Sequence, residues 1–127
     1  INSVLPHQKV LGFPALKGDF LKDEIRTFVP EILDEKWELI TQYHFGGYGK
    51  VTQDLVAFIN EFYEKNKIPL DPIYTGKMIF GVMDRIATNY FPAESKILLS
   101  HTGGSQGIEG MNTRLRKKQL PIINAHV

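Results

Sequence analysis

Short apolar runs alternate with longer amphipathic stretches along this chain, and this alternation restricts the possible folds more than any other feature of the sequence. The short runs are typical of strands buried in a sheet, whereas the longer stretches repeat their apolar residues at helical spacing. Strands are predicted at 9–12, 37–43 and 96–100, and helices at 19–29, 52–66, from 75 onward and at 111–118. Because strands and helices alternate, we predict an α/β fold with a mainly parallel sheet.

Three of the predicted helices carry a clear apolar stripe, which in the helix at 52–66 consists of Leu55, Val56, Ile59, Phe62 and Tyr63. Pro30 ends the first of them, whose apolar face consists of Phe20, Leu21, Ile25, Phe28 and Val29. In the helix that starts at Thr75, the predicted buried stripe consists of Met78, Ile79, Val82, Met83 and Ile86. Between these two helices, Thr52 is predicted to cap the N-terminus of the helix at 52–66.

The composition excludes several classes of protein. The 127 residues suffice for one domain, and the formal net charge of +1 indicates neither a nucleic acid nor an anionic membrane as partner. The chain has no cysteine, which excludes disulfides, zinc–thiolate sites and a thiol nucleophile. No apolar run approaches the roughly 20 residues that span a bilayer. The four histidines are not spaced as metal ligands, so no metal site is predicted, and the cytoplasm is the expected compartment.

A glycine-rich segment, His101–Gly107, follows directly on the predicted strand at 96–100. In an open α/β sheet, ligands bind outside the carboxyl ends of strands, where glycines let backbone N–H groups approach an anion. The segment lacks the lysine of a P-loop and does not match G-x-G-x-x-G. From the residues alone, both a ligand-binding loop and a tight turn remain open.

Two further loops each carry a tyrosine. Tyr48 lies among glycines in the segment 45–49, and Tyr74 precedes Thr-Gly-Lys in the segment 71–77. Because loops run over the surface, neither tyrosine is well placed for a core. A phenol there can stack on a flat ring or donate to a substrate oxygen, and ordinary surface packing is the alternative.

Taken together, these segments resemble a known family. Leu70–Met78 (Leu-Asp-Pro-Ile-Tyr-Thr-Gly-Lys-Met), Ile97–Gly104 (Ile-Leu-Leu-Ser-His-Thr-Gly-Gly) and the glycine loop of Tyr48 occur in that order at the family's spacing. They are similar to the C-terminal half of the 1-aminocyclopropane-1-carboxylate deaminase and D-cysteine desulfhydrase family, whose members use pyridoxal 5'-phosphate (PLP). The resemblance extends from about Val10 to the end and weakens over the last fifteen or so residues.

The resemblance implies a tryptophan-synthase-β-like fold (fold type II), with PLP between two α/β domains, a small amino-acid substrate and a homodimer. It implies catalytic roles for Tyr48 and Tyr74, whose phenols would position the substrate or move a proton. It also implies that Thr75, Thr102 and Gly103 contact the cofactor. Which of the two threonines meets the pyridine nitrogen is left open.

Two positions separate the branches of this family. The deaminases tend to carry Glu after the motif tyrosine and Leu in His-Leu-Gly-Gly, whereas Thr75 and Thr102 occupy those positions here and resemble the desulfhydrases. A hydroxyl can hydrogen-bond the pyridine nitrogen without keeping it protonated, which suits elimination of a good thiol leaving group. The resemblance therefore favours α,β-elimination of D-cysteine to pyruvate, hydrogen sulfide and ammonia. Deamination of 1-aminocyclopropane-1-carboxylate to 2-oxobutanoate and ammonia is the near alternative.

Several parts of the family's active site lie upstream of the matched region. The Schiff-base lysine, the Ser-Asn after it and the phosphate loop have no counterpart in these residues, and Lys77 is interpreted as a structural or helix-start residue. Because the chain opens at Ile1, we expect residues 1–127 to be the C-terminal portion of a longer enzyme and to be inactive alone. A non-catalytic α/β module that binds an anion or a partner is the alternative from another class.

Overall fold

A parallel strand pair and the helix that connects it open the described part of the chain. The computed structural model describes residues 7–31 and 34–126. Strand β1 (Val10–Gly12) pairs in parallel with β2 (Trp37–Leu39), with Val10 opposite Trp37, and helix α1 (Leu21–Phe28) connects them. A single 3-10 turn precedes β2. This β–α–β order confirms the predicted α/β class and the parallel pairing, although the predicted strand at 37–43 ends at Leu39.

Helix α2 (Gln53–Asn66) has the boundaries that the sequence predicts. The Thr52 hydroxyl accepts a hydrogen bond from the Leu55 N–H at 3.3 Å, which satisfies one of the unpaired donors at a helix start. Lys67 ends the helix in the left-handed region with φ 58°, and its N–H donates to the Tyr63 carbonyl. The predicted capping role of Thr52 is therefore confirmed.

The core forms where α2, α3 (Thr75–Ala87), α4 (Gly107–Lys117) and the tail after α4 meet. Two asparagines hold that tail. Asn112 exchanges two hydrogen bonds of 2.8 Å with the backbone of Ile123, and Asn60 receives the Asn124 N–H at 2.7 Å. The buried apolar residues of this cluster are Leu55, Val56, Ile59, Leu70, Ile79, Ile108, Met111, Leu115, Ile123 and Ala125.

The prediction of a strand at 96–100 is wrong. These residues have no regular secondary structure, and the Leu98 side chain is 96% exposed. An apolar run becomes a buried strand only when neighbouring strands pair with its backbone. The segment pairs with no strand of the described residues, and its apolar side chains therefore face solvent.

Parts of two of the predicted apolar stripes are also exposed. In α1 no residue is buried, and Phe28 is 85% exposed. In α3 the prediction holds for Ile79 and Val82, whereas Met83 and Ile86 are each 46% exposed. An amphipathic face is buried only where another element covers it, and periodicity alone does not show which part is covered.

Gly76 lies close both to the turn before α3 and to helix α2. A Cβ atom at this position would lie 2.5 Å from the Asp71 carbonyl oxygen and 2.9 Å from Ile59 Cδ1. Gly76→Ala is therefore expected to lower the free energy of unfolding by about 1–3 kcal/mol through overpacking. Gly110→Ala in α4 is the matched control, because a Cβ there meets nothing within 4 Å. Urea unfolding of the purified protein should show stabilisation by Gly110→Ala of about 0.5–1 kcal/mol, and equal effects of both substitutions would contradict the prediction.

Candidate functional site

The two loop tyrosines meet at the surface. The hydroxyl oxygens of Tyr48 and Tyr74 lie 3.0 Å apart, and their rings are arranged edge to face with centroids 6.1 Å apart. Tyr48 is 55% exposed and Tyr74 is 52% exposed. The fold thus brings together two phenols that are 26 residues apart in sequence, and both are accessible to a ligand.

Tyr74 is held by the turn that leads into α3. Asp71 is buried, and its Oδ1 accepts the N–H groups of Ile73 and Tyr74 at 2.9 and 2.6 Å. Its Oδ2 accepts the Thr75 N–H at 2.8 Å. Because the carboxylate binds three successive backbone donors at a helix start, it orders the turn and leaves the phenol pointing outward.

Tyr48 is held by a glycine-rich loop of unusual backbone conformation. Phe45, Gly46, Gly47 and Gly49 all have positive φ, with values of 53°, 100°, 127° and 68°. Glycine reaches these conformations without the steric cost that a Cβ imposes. The N–H of Gly46 donates to His44 Nδ1 at 3.0 Å and closes the loop locally. The tyrosine is therefore presented by a defined turn, as the glycine spacing indicates.

Thr75 lies beneath this surface. It is 2% exposed, its hydroxyl donates to Asp71 Oδ2, and the same oxygen accepts the Asp71 N–H at 3.1 Å. A threonine hydroxyl has one proton to donate, and here Asp71 receives it. Thr75 therefore has a structural role in the turn, whatever else it contacts.

The loop 101–104 packs against the same turn. His101 Nε2 donates to the Pro69 carbonyl at 2.9 Å, and its Nδ1 accepts the Gly103 N–H at 3.1 Å. These partners require the neutral tautomer with its proton on Nε2. Gly103 and Gly104 have φ values of 88° and 90°, and a Cβ at Gly104 would lie 3.1 Å from Asp71 Cγ.

Within this loop, Thr102 is exposed. Gly103 differs from Gly104, because a Cβ at Gly103 would have no atom within 4 Å. Only the backbone conformation therefore favours a glycine at position 103, because the space beside it is open. The loop therefore presents an exposed threonine next to a glycine with open space beside it.

Two residues of this arrangement form hydrogen bonds that the sequence analysis did not predict. Asp71 connects the turn, Thr75 and the loop at Gly104, and His101 ties that loop to Pro69. An Asp followed by Pro just before a predicted helix is the sequence pattern that indicates such a turn. For His101 no local pattern exists, because its partner lies 32 residues away.

The electrostatics of the site favour the protonated form of Tyr74. The hydrogen bond with Tyr48 is the main cause that raises the pKa of Tyr74 above its ordinary value of 10.0. A phenol with a raised pKa stays neutral at physiological pH and donates a proton or a hydrogen bond. The pair therefore suits a substrate group that carries negative charge or develops it.

The described ranges contain neither a group of metal ligands nor a helix that could span a membrane. Within 7–31 and 34–126, no three His, Asp or Glu side chains are grouped so that they could hold a metal ion. No helix of this part of the chain is both long and apolar enough to cross a bilayer.

Comparison with known proteins finds relatives that carry two different enzyme names. A provisionally named 1-aminocyclopropane-1-carboxylate deaminase of Pyrococcus horikoshii is 37% identical over 87 residues, which are 68% of this chain and 23% of the relative. A D-cysteine desulfhydrase of Klebsiella pneumoniae is 37% identical over 78 residues, which are 60% of this chain and 24% of the relative. No protein-family model matches the chain.

A solved structure also matches. The crystal structure of a 1-aminocyclopropane-1-carboxylate deaminase homologue aligns with a TM-score of 0.73 and 28% identity, over 84% of this chain and 34% of that one. The match confirms the predicted fold, and the relatives confirm the resemblance to the deaminase and desulfhydrase family. The chain spans about a quarter of the length of the curated relatives that it matches.

Proposed function

We propose that this chain is the C-terminal portion of a PLP-dependent lyase whose substrate is D-cysteine. The observation that carries the proposal is the exposed pair of phenols, Tyr48 and Tyr74. Tyr74 lies on the Asp71 turn, against which the loop of Thr102 also packs. Such convergent polar groups are typical of a small-molecule site. The relatives and the solved structure support the same family of enzymes, and a homodimer is part of the proposal.

The residues present fit one side of PLP. When bound, PLP withdraws electrons from the substrate and stabilises a carbanion at its α-carbon. The exposed side chain of Thr102 and the open space beside Gly103 support placing the ring of PLP at this loop. The phosphate loop and the Schiff-base lysine belong, by the resemblance, to an upstream part of the enzyme.

The hydrogen bonds of Thr75 and the exposure of Thr102 support Thr102 as the residue that meets the pyridine nitrogen. The single proton of Thr75 is donated to Asp71, and the side chain is buried. Thr102 is exposed. A hydroxyl that can donate its proton to the ring nitrogen leaves that nitrogen unprotonated, as the resemblance to the desulfhydrases implies.

The tyrosine pair acts on the substrate side of the site. Tyr74 stays protonated, so its Oη donates to the substrate carboxylate or gives its proton to the departing sulfur atom. Tyr48 holds the Tyr74 phenol in place through the 3.0 Å hydrogen bond. The overall reaction converts D-cysteine and water to pyruvate, hydrogen sulfide and ammonia. The sulfur leaves as hydrosulfide, a proton from Tyr74 completes hydrogen sulfide, and Tyr74 then regains its proton from water.

The second candidate is deamination of 1-aminocyclopropane-1-carboxylate, which the name of the solved relative favours. Thr75 and Thr102 argue against it, since neither supplies a carboxylate that would keep the ring nitrogen protonated. The phenol pair itself suits either substrate, because both are small amino acids with one carboxylate.

The proposal is tested on the purified full-length protein. We expect the absorbance of bound PLP and release of sulfide from D-cysteine at a rate well above release of 2-oxobutanoate from 1-aminocyclopropane-1-carboxylate. Residues 1–127 expressed alone are the control and should release neither product. A full-length protein that binds no PLP would point instead to a non-catalytic module, and faster formation of 2-oxobutanoate would point to the deaminase.

Replacement of the two threonines should separate chemistry from stability. Thr102→Val removes an exposed hydroxyl and is expected to lower kcat with D-cysteine about tenfold, the value of one hydrogen bond, with little change in stability. Thr75→Val leaves the buried Asp71 N–H and carboxylate short of a partner, so it should cost about 1–3 kcal/mol of unfolding free energy. Steady-state kinetics and urea unfolding of both variants measure this. The reverse pattern would assign the cofactor contact to Thr75.

A further inference from the structure

Lys77 is a buried cation in the first turn of α3. The residue is only 2% exposed, and its Nζ donates to the His44 carbonyl at 2.8 Å and to the Gly47 carbonyl at 3.0 Å. A lysine is rarely buried to this extent unless its ammonium has partners. Both partners belong to the loop of Tyr48 and lie 33 and 30 residues upstream of Lys77.

The two segments that Lys77 joins each carry one of the two phenols. Helix α3 begins directly after Tyr74, so Lys77 is in the same rigid segment as that tyrosine. On the other side, Gly47 immediately precedes Tyr48. Lys77 therefore joins the backbone of one tyrosine's loop to the helix of the other.

The conformation of the loop is adapted to this contact. Gly47 is buried, and its φ of 127° is one that residues with a Cβ rarely adopt. Carbonyl oxygens that converge on an ammonium form charge-assisted hydrogen bonds, which offset part of the cost of burying the charge. Burial nevertheless lowers the pKa of Lys77, while the charge of nearby Asp71 opposes that shift.

We propose that Lys77 is a positioning residue that holds the Tyr48 loop against α3 and thereby sets the hydrogen bond between the Tyr48 and Tyr74 hydroxyls. Its effect on the reaction rests on the function proposed above, whereas its effect on the tyrosine pair does not. An error of 1 Å in placing a catalytic group can cost about 100-fold in rate. Lys77 therefore acts on the reaction through Tyr48.

The test uses the full-length protein with Lys77→Met, which keeps the length of the side chain and removes its donors. Lys50→Met is the matched control, because Lys50 is exposed and lies in the same loop. Tyrosines labelled with ¹³C at Cζ are titrated by NMR and assigned with Tyr48→Phe and Tyr74→Phe. In Lys77→Met, the pKa of Tyr74 should fall to its value in Tyr48→Phe, and in Lys50→Met it should stay at the wild-type value.

Kinetics supply the second measurement. The rate per bound PLP should fall about 10- to 100-fold in Lys77→Met, with a smaller change in KM. If Lys77→Met does not fold, Lys77→Gln replaces it, since the amide keeps one donor group. An unchanged titration of Tyr74 in the folded variant overturns the proposal. If the pKa of Tyr74 shifts as expected in Lys77→Met but the wild-type protein neither binds PLP nor turns over D-cysteine, the positioning role is supported and the proposed function is refuted.

Discussion

Tyr74→Phe is expected to lower kcat for D-cysteine by about 10²- to 10⁴-fold, the usual contribution of a positioned acid or base. The substitution removes the phenol proton and keeps the ring. Tyr48→Phe should have a smaller effect, because it removes only the partner that lies 3.0 Å from the Tyr74 hydroxyl. Steady-state kinetics of the full-length enzyme measure both changes.

The pH dependence distinguishes an acid from a base. Since the pKa of Tyr74 is raised above 10.0, its protonated form persists from neutral pH to beyond that value. The advantage of wild type over Tyr74→Phe should therefore be constant between about pH 7 and 9 and be lost only at higher pH. Tyr63→Phe is the control, because its ring packs against His126 at the tail, and it should leave the rate unchanged. A wild-type advantage that grows as pH rises through 7 to 9 would identify a phenolate base instead.

Asp71→Ala is expected to destabilise the protein by about 3 kcal/mol or more, because several buried donors lose their acceptor at once. The Asp71 carboxylate binds three backbone N–H groups and the Thr75 hydroxyl, and Asp71 is only 2% exposed. Its loss also removes the surface on which Gly104 packs. Urea unfolding with circular dichroism measures the change.

Asp54→Ala is the matched control for this experiment. Asp54 is an exposed carboxylate in the first turn of α2, where its interaction with the helix dipole is worth about 0.3–1 kcal/mol. Asp71→Asn should fall between the two alanine variants, since the amide keeps one acceptor oxygen and places a donor where the second oxygen was. Equal unfolding energies for Asp71→Ala and Asp54→Ala would show that the hydrogen bonds around Asp71 carry little stability.

Local patterns predict α2 and the start of α3 well, whereas α4 begins at Gly107, four residues before the predicted start at 111. The capping threonine at 52 and the apolar spacing through to residue 66 give the bounds of α2, and Pro72 followed by the repeat from Thr75 gives the start of α3. Both patterns depend on residues within a few positions of each other, which is where propensity and capping act. The strand at 96–100 could not be predicted in this way, because a strand depends on a partner elsewhere in the chain.

Local sequence motifs single out four candidate site residues. Tyr48, Tyr74, Thr102 and Gly103 all lie in loops whose glycines and motif order indicate a ligand, and the structure places the first two in contact. Their motif resemblance also identified the family that the comparisons support.

The partners of the polar groups at the site depend on how the whole chain packs. The tertiary structure shows that the Thr75 proton is donated to Asp71, that Lys77 reaches two carbonyls in the Tyr48 loop, and that Leu98 faces solvent. A sequence pattern reports local conformation and average burial, and both follow from near neighbours. Hydrogen bonds form only between atoms about 3 Å apart, and for residues tens of positions apart the packing of the whole chain sets that distance.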